Sequence, residues 1–128
     1  MMIMNERQAV DKFGQVIMTD LRDKAIDFFE LLVEGHWKAP GLQKLQSELQ
    51  ELNNEQIELV RKIVIKSLDT GIHDFLFILQ EQADFENDIE IKVQGIDIIQ
   101  SSDGLHGELF TKDGWFSTYS KYGERKDE

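Results

Sequence analysis

The chain has no cysteine and a single proline, Pro40. The first absence excludes structural disulfides, thiolate metal sites and cysteine nucleophiles together. No stretch approaches the roughly 18 consecutive apolar residues of a membrane span. The N-terminus, Met1-Met2-Ile3-Met4-Asn5, has neither a basic region nor an apolar run of useful length, so a signal peptide is not expected and a cytoplasmic location is. Basic residues are scarce as well: 14 Lys and Arg stand against 25 Asp and Glu, a formal net charge of −11. Affinity for nucleic acid comes mainly from neutralising phosphates, so neither DNA nor RNA is an expected partner, nor is an anionic membrane surface. Gly-x-Ser-x-Gly, the P-loop and the G-x-G-x-x-G fingerprint are missing, which leaves no scaffold for a nucleophile and no call for a cofactor.

What is present is an ordinary globular composition. With 128 residues and 41% hydrophobic side chains the chain is too apolar to be disordered. A domain of this length buries about two-thirds of the surface its unfolded form exposes. No internal repeat or Gly/Ser/Pro-rich linker divides it, so residues 1–128 read as one domain, with a polar tail expected to fray from about Gly123.

The charge is not evenly spread. Residues 1–68 have a net charge of only −2, whereas residues 69–108 carry ten acids and a single cation, Lys92, for a net of −9.

Apolar periodicity predicts four helices. The first covers about Asn5 to Glu34, with Val10, Phe13, Ile17, Leu21, Ala25, Phe28 and Leu32 on one face that stays in phase past Thr19 and Asp20. Gly14 falls on that face, where a missing side chain admits another element, and Gly35 supplies the C-cap. Pro40 suits the first turn of a second helix, about 40–52, with Leu42, Leu45, Leu49 and Leu52 inward. Asn53 and Gln56 form a capping box for a third, about 54–69, whose Glu58 and Lys62 make a favourable pair. Asp69-Thr70-Gly71 reads as a stop and a start, followed by a fourth helix, about 71–83, apolar on so many sides that it belongs in the middle of the core.

After Gln82 the period becomes two. Phe85, Ile89, Ile91 and Val93 alternate with Glu86, Asp88, Glu90 and Lys92, as in a half-buried strand. Gly95 turns the chain into a second strand, 96–99; Ser101-Ser102-Asp103-Gly104 and Lys112-Asp113-Gly114 are turns around a third, 105–112, and a fourth, 115–120. Helices first and short strands afterwards predict an α+β domain, four helices packed on an antiparallel sheet of three to four strands.

Three groups of residues are candidates for function. His73 and Asp74, at the start of the fourth helix, join His106 and Glu108, two apart on a strand and so on one side, as a possible ligand or metal pocket. The three histidines, His36, His73 and His106, lack the tight spacing of a metal motif, and a capping or core-edge role for His73 is the simpler reading. Glu86, Asp88 and Glu90 form an acidic stripe; an EF-hand loop starting at Asp84 fails, since it needs glycine at position 89 and glutamate at position 95. The same alternation serves equally as the solvated face of an edge strand. Trp115 and Tyr119 share one side of the last hairpin and are candidate binding aromatics, although core packing suits them too. Trp37 is read as a lid folded back from its loop.

Together these features favour a non-catalytic, immunity- or inhibitor-like module whose protein partner is basic, since acidic patches speed association with basic partners and aromatics anchor it. The alternatives are a small enzyme or ligand-binding domain built on the histidines, and a homo-oligomer subunit using the long first helix or an open sheet edge.

Overall fold

The fold is known from a computed structural model, which describes residues 3–86 and 88–125, Glu86 by its backbone alone. The first helical rod is built from α1 (Glu6–Val16), a π-helical stretch (Ile17–Arg22) and α2 (Asp23–Glu34). It starts on a capping box, the Asn5 side chain accepting from the Gln8 N–H while the Gln8 side chain accepts from the Asn5 N–H, and it ends on Gly35 at φ 75°.

The rod is continuous, but its inner face does not stay in phase. Up to Ile17 the expected positions face the core; beyond it Leu21 and Phe28 are exposed, and Arg22, Ile26 and Phe29 are buried instead. A π turn bonds i to i+5, as Asp23 N–H does to the Met18 carbonyl, and so accommodates one extra residue. The face therefore slips by one position at Arg22, Ile26 and Phe29, while Leu32 at the end of the rod is buried as expected. Thr19 takes part, its hydroxyl donating back to the Gln15 carbonyl at 2.9 Å.

Helix α3 (Pro40–Gln50) opens on its proline and packs against α2. Its expected stripe is less complete than the spacing implied, since Leu45 is exposed. The connecting loop is fixed by Gln46, whose side-chain amide both accepts from and donates to the Trp37 backbone at 2.9 Å. Trp37 does fold back, with its ring 5.5 Å from that of Phe28.

The two helices expected at 54–69 and 71–83 are one. Helix α4 runs unbroken from Asn54 to Glu81, beginning on the Asn53–Gln56 capping box, and continues into a π-helical turn, Gln82–Glu86. Asp69 does not cap anything: both its oxygens are held by Arg22, at 2.7 and 3.0 Å. Nor is α4 central. Ile65, Ile72, Leu76 and Leu79 are buried, whereas Phe75, Phe77 and Ile78 are exposed on its outer side. The Glu58–Lys62 pair is replaced by Arg61, which bridges Glu58 and Glu30.

The sheet is smaller than expected. Among the described residues it has two strands, β1 (Lys92–Val93) and β2 (Ile96–Asp97), paired antiparallel with Lys92 opposite Asp97. Gln94 and Gly95, both at positive φ, make the two-residue turn. β2 ends early because the Asp97 carboxylate captures the N–H groups of Ile99 and Gln100. The predicted third strand is instead a 3-10 helix, Leu105–Leu109, and the fourth is a short helix, α5 (Trp115–Tyr119). In the first case Leu105 and Leu109 are buried; in the second Trp115 and Phe116 are, and two adjacent buried side chains cannot be met by strand alternation. Gln80 of α4 supplies hydrogen bonds here, accepting from Leu105 N–H at 3.1 Å and donating to the Ile99 carbonyl at 3.5 Å.

Trp115, 1% exposed, lies over Gly14 as the missing side chain there predicted: a Cβ at that position would sit 2.1 Å from its indole ring. Arg22 is fully buried. Besides Asp69 its guanidinium bonds the Ser120 hydroxyl and the Gly123 carbonyl, each at 2.7 Å, and its carbon sits 4.4 Å above the Phe116 ring. Its neighbour Asp23 accepts from the Ser120 hydroxyl and the Lys121 N–H. One turn on, Asp27 accepts from the Tyr122 hydroxyl and pairs with Lys121. The Lys121 ammonium, then Tyr122, hold the Asp27 carboxyl below the usual carboxylate range; burial, then the Asp27 bond, pushes the Tyr122 phenol up. The tail expected to fray from about Gly123 is thus tied at that residue, and Arg125 reaches Glu58 at 3.6 Å; residues 126–128 lie outside the described residues.

Two pairs of substitutions test this packing. Gly14→Ala must displace the Trp115 indole and is expected to destabilise by about 1–3 kcal/mol, while Gly71→Ala, with open space at its Cβ, is expected to stabilise by about 0.5–1 kcal/mol. Urea unfolding distinguishes the signs. In a double-mutant cycle, Arg22→Met strands Asp69 and is expected to lose about 3–5 kcal/mol, whereas Arg22→Met with Asp69→Leu recovers most of it. A loss below about 1 kcal/mol for the single variant would remove the ion pair from the account of the fold.

Candidate functional site: an acidic surface with exposed apolar side chains

Helix α4 enters the acidic block at Asp69, and its inner and outer sides then diverge. Ile72, Leu76, Leu79 and Ala83 fill the core against Met18, Ile98 and Leu105. Facing outward are Phe75 and Ile78, one turn apart, then Phe85 in the π turn, 84% exposed, and Ile89 just beyond it. Asp74, Glu81, Asp84, Asp88 and Glu90 are interspersed among them and are exposed. Of these acids, Asp74 contacts the His73 ring and Glu90 contacts Lys92, at 3.1 and 3.3 Å. The segment thus presents large apolar groups in a strongly negative setting.

The sequence candidates are distributed as follows. Asp74, Asp88 and Glu90 lie on this surface; the side chain of Glu86 lies outside the described residues. His73 and His106 do meet, ring centroids 5.4 Å apart, with Phe77 and Phe110 packed around them at 5.1 and 6.1 Å. Glu108 does not join them. In a 3-10 helix residues two apart point about 120° away from each other rather than to one side, and Glu108 turns to Arg7 and Ser102, at 2.8 and 3.2 Å. Glu108, then Asp11, hold the Arg7 guanidinium above its usual pKa against burial. His36 is elsewhere, its ring 5.0 Å from Trp37. Among the described residues no three His, Asp or Glu side chains converge as metal ligands.

Of the two aromatics, Trp115 is a core residue whose indole N–H donates to Asp11 at 3.3 Å. Tyr119 is half-buried against the same core, and its phenol is pushed up by burial and then by the Asp11 charge. The exposed apolar groups are instead Phe75 and Ile78, expected in the apolar arc of the fourth helix, and Phe85 and Ile89, expected on the buried side of a strand. For Phe75 and Ile78 the signal was present as an apolar arc too wide for one buried face.

His106 Nδ1 is buried with no partner among the described residues. His106→Leu removes an unpaired polar atom from an aromatic nest and is expected to leave stability unchanged or raise it by up to about 1 kcal/mol. A loss of more than that in thermal unfolding would mean that the ring nitrogen is satisfied. Comparison with protein-family models, with curated proteins and with solved structures finds no match to this chain.

Proposed function

We propose that this chain is a non-catalytic protein-binding module, of the immunity or inhibitor kind, whose partner presents a basic surface with apolar side chains. The observation that carries the reading is the exposure of Phe75, Ile78, Phe85 and Ile89 within a block of net charge −9. Apolar side chains bury area and fix the contact, while the acids around them accelerate encounter with a cationic partner and repel anionic ones. That same charge argues against the homo-oligomer alternative through this face, because a second copy would bring two acidic blocks together.

The test is affinity purification from the native host at low and high salt, with the wild-type chain and an Ile78→Ser/Phe85→Ser variant. Both positions are exposed, so the melting temperature is expected to stay within about 2 °C of wild type, equivalent to less than about 0.5 kcal/mol. The wild type is expected to retain basic proteins that are released as salt rises, and the variant to retain at least about tenfold less. Capture that ignores both salt and the substitutions, or a partner as acidic as the bait, would sink the proposal.

A further inference from the structure

A second surface lies along the N-terminal half of α4, where that helix, the 3-10 region and the C-terminal segment border a groove of about 1160 Å³. Its lining includes the buried Ile65 and Phe116 and the half-exposed Ile63 and Phe110. The two phenylalanine rings meet edge to face with centroids 5.8 Å apart, and His73 stands at one end beside Phe110.

Three cations and three carboxylates line the groove, so its formal charge is balanced. They differ in which are already engaged. Asp69 is held by the buried Arg22, and Glu58 by Arg61 and by Arg125, which accounts for Arg125 as well. Lys66 also has a partner. Among the described residues this leaves Lys62 and Glu124 without an ion pair or a side-chain hydrogen bond, one charge of each sign. They come from different walls, Lys62 from α4 and Glu124 from the C-terminal segment. Arg125 ties that segment to Glu58, one turn before Lys62, so both free charges belong to the same end of the groove. His73 marks the other end, about 16 Å along α4 from Lys62 at 1.5 Å per residue. Between the ends lie Ile65 and Phe116, the latter brought beside Asp69 by their shared contact with Arg22.

We propose that this groove binds a free amino acid with a large aromatic side chain, its carboxylate on Lys62, its ammonium on Glu124 and its ring against Ile65, Phe116 and Phe110. Ligand sites are commonly concave and largely apolar, with a few placed polar groups that fix orientation. A zwitterion answers one free charge of each sign at one end of the groove. An anion or a cation of the same shape satisfies one of them and leaves the other without a partner. None of these residues is among Phe75, Ile78, Phe85 and Ile89, so this reading and the protein-binding one stand or fall separately.

The test uses the full chain and three probes that share an indole ring: L-tryptophan, indole-3-propionate, which lacks the ammonium, and tryptamine, which lacks the carboxylate. Affinities are measured by calorimetry at physiological ionic strength, where general attraction of the amine to an acidic chain is screened. Amide chemical shifts locate the site. Tryptophan is expected to saturate the chain at millimolar concentration and to bind at least about tenfold more tightly than either other probe, with the largest shifts at Ile63, Ile65, Phe116 and Glu124. Lys62→Met is expected to bring tryptophan down to the affinity of tryptamine and to leave tryptamine unchanged. Glu124→Gln is expected to bring it down to that of indole-3-propionate and to leave that probe unchanged. Neither substitution strands a partner, and the ranking of the three probes on the wild-type chain decides the matter if a variant fails to fold. Tryptamine or indole-3-propionate binding as tightly as tryptophan, no saturation at millimolar tryptophan, or shifts confined to Phe75–Ile89 would overturn the proposal.

Discussion

The arrangement of this protein depends on one buried ion pair. Arg22 has no contact with solvent, and a guanidinium taken out of water is tolerable only where its donors are met. Here Asp69 meets it with two oxygens while Ser120 and Gly123 take a further nitrogen. The pair also fixes register between the two long helices. Glu30, eight residues after Arg22, meets Arg61, eight residues before Asp69, so the rods run antiparallel without a slip between the two contacts. On both helices the Arg22–Asp69 layer separates two apolar stretches, Met18 and Ile72 on one side, Ile26 and Ile65 on the other. Apolar packing alone tolerates a shift by one turn; a buried charge with a single carboxylate partner does not.

That constraint accounts for the π turn. On an uninterrupted α-helix Leu21 would occupy the inward position and Arg22 would flank it. The extra residue accommodated between Ile17 and Arg22 brings Arg22 and Asp23 inward side by side, opposite charges that share the Ser120 hydroxyl. Ser120 accepts from one and donates to the other, which draws the chain after α5 onto α2. The C-terminal segment is thereby held against α2, with Asp69 and Phe116 both touching Arg22.

Local chemistry was the legible part of the sequence. The caps at Asn5, Gly35 and Asn53, the proline at the start of α3, the turn at Gly95 and the close approach at Gly14 each depend on a few adjacent residues. What could not be read depends on distant partners. Nothing near Arg22 announces that Asp69 will bury it, and so nothing shifts the apolar face by one position. Asp69-Thr70-Gly71 has the composition of a helix break, yet α4 passes through, since Asp69 is committed to Arg22. The error over the strands has a similar origin. Short apolar runs fit either period, and Trp115-Phe116 became helical because both rings are needed in the core, one over Gly14 and the other under Arg22. The candidate surface was half legible: the acids of residues 69–108 were plain, but the apolar groups among them were assigned inward.

The charges along α4 have a further implication. A helix favours anions in its first turn and cations in its last. Glu55 obeys this in the first turn, but the last turn has no cation and contains Glu81, with Asp84 following directly. Lys62 and Lys66 lie towards the N-terminal half and Asp74 towards the C-terminal half, the reverse of what the dipole prefers. The penalty is modest, since the effect decays within a turn, but it has the wrong sign at the end where the acids gather. Leaving Phe75, Ile78 and Phe85 in water stabilises nothing in the isolated chain either. Neither feature is explained by the stability of this fold, and both accord with the binding face proposed for this half of α4.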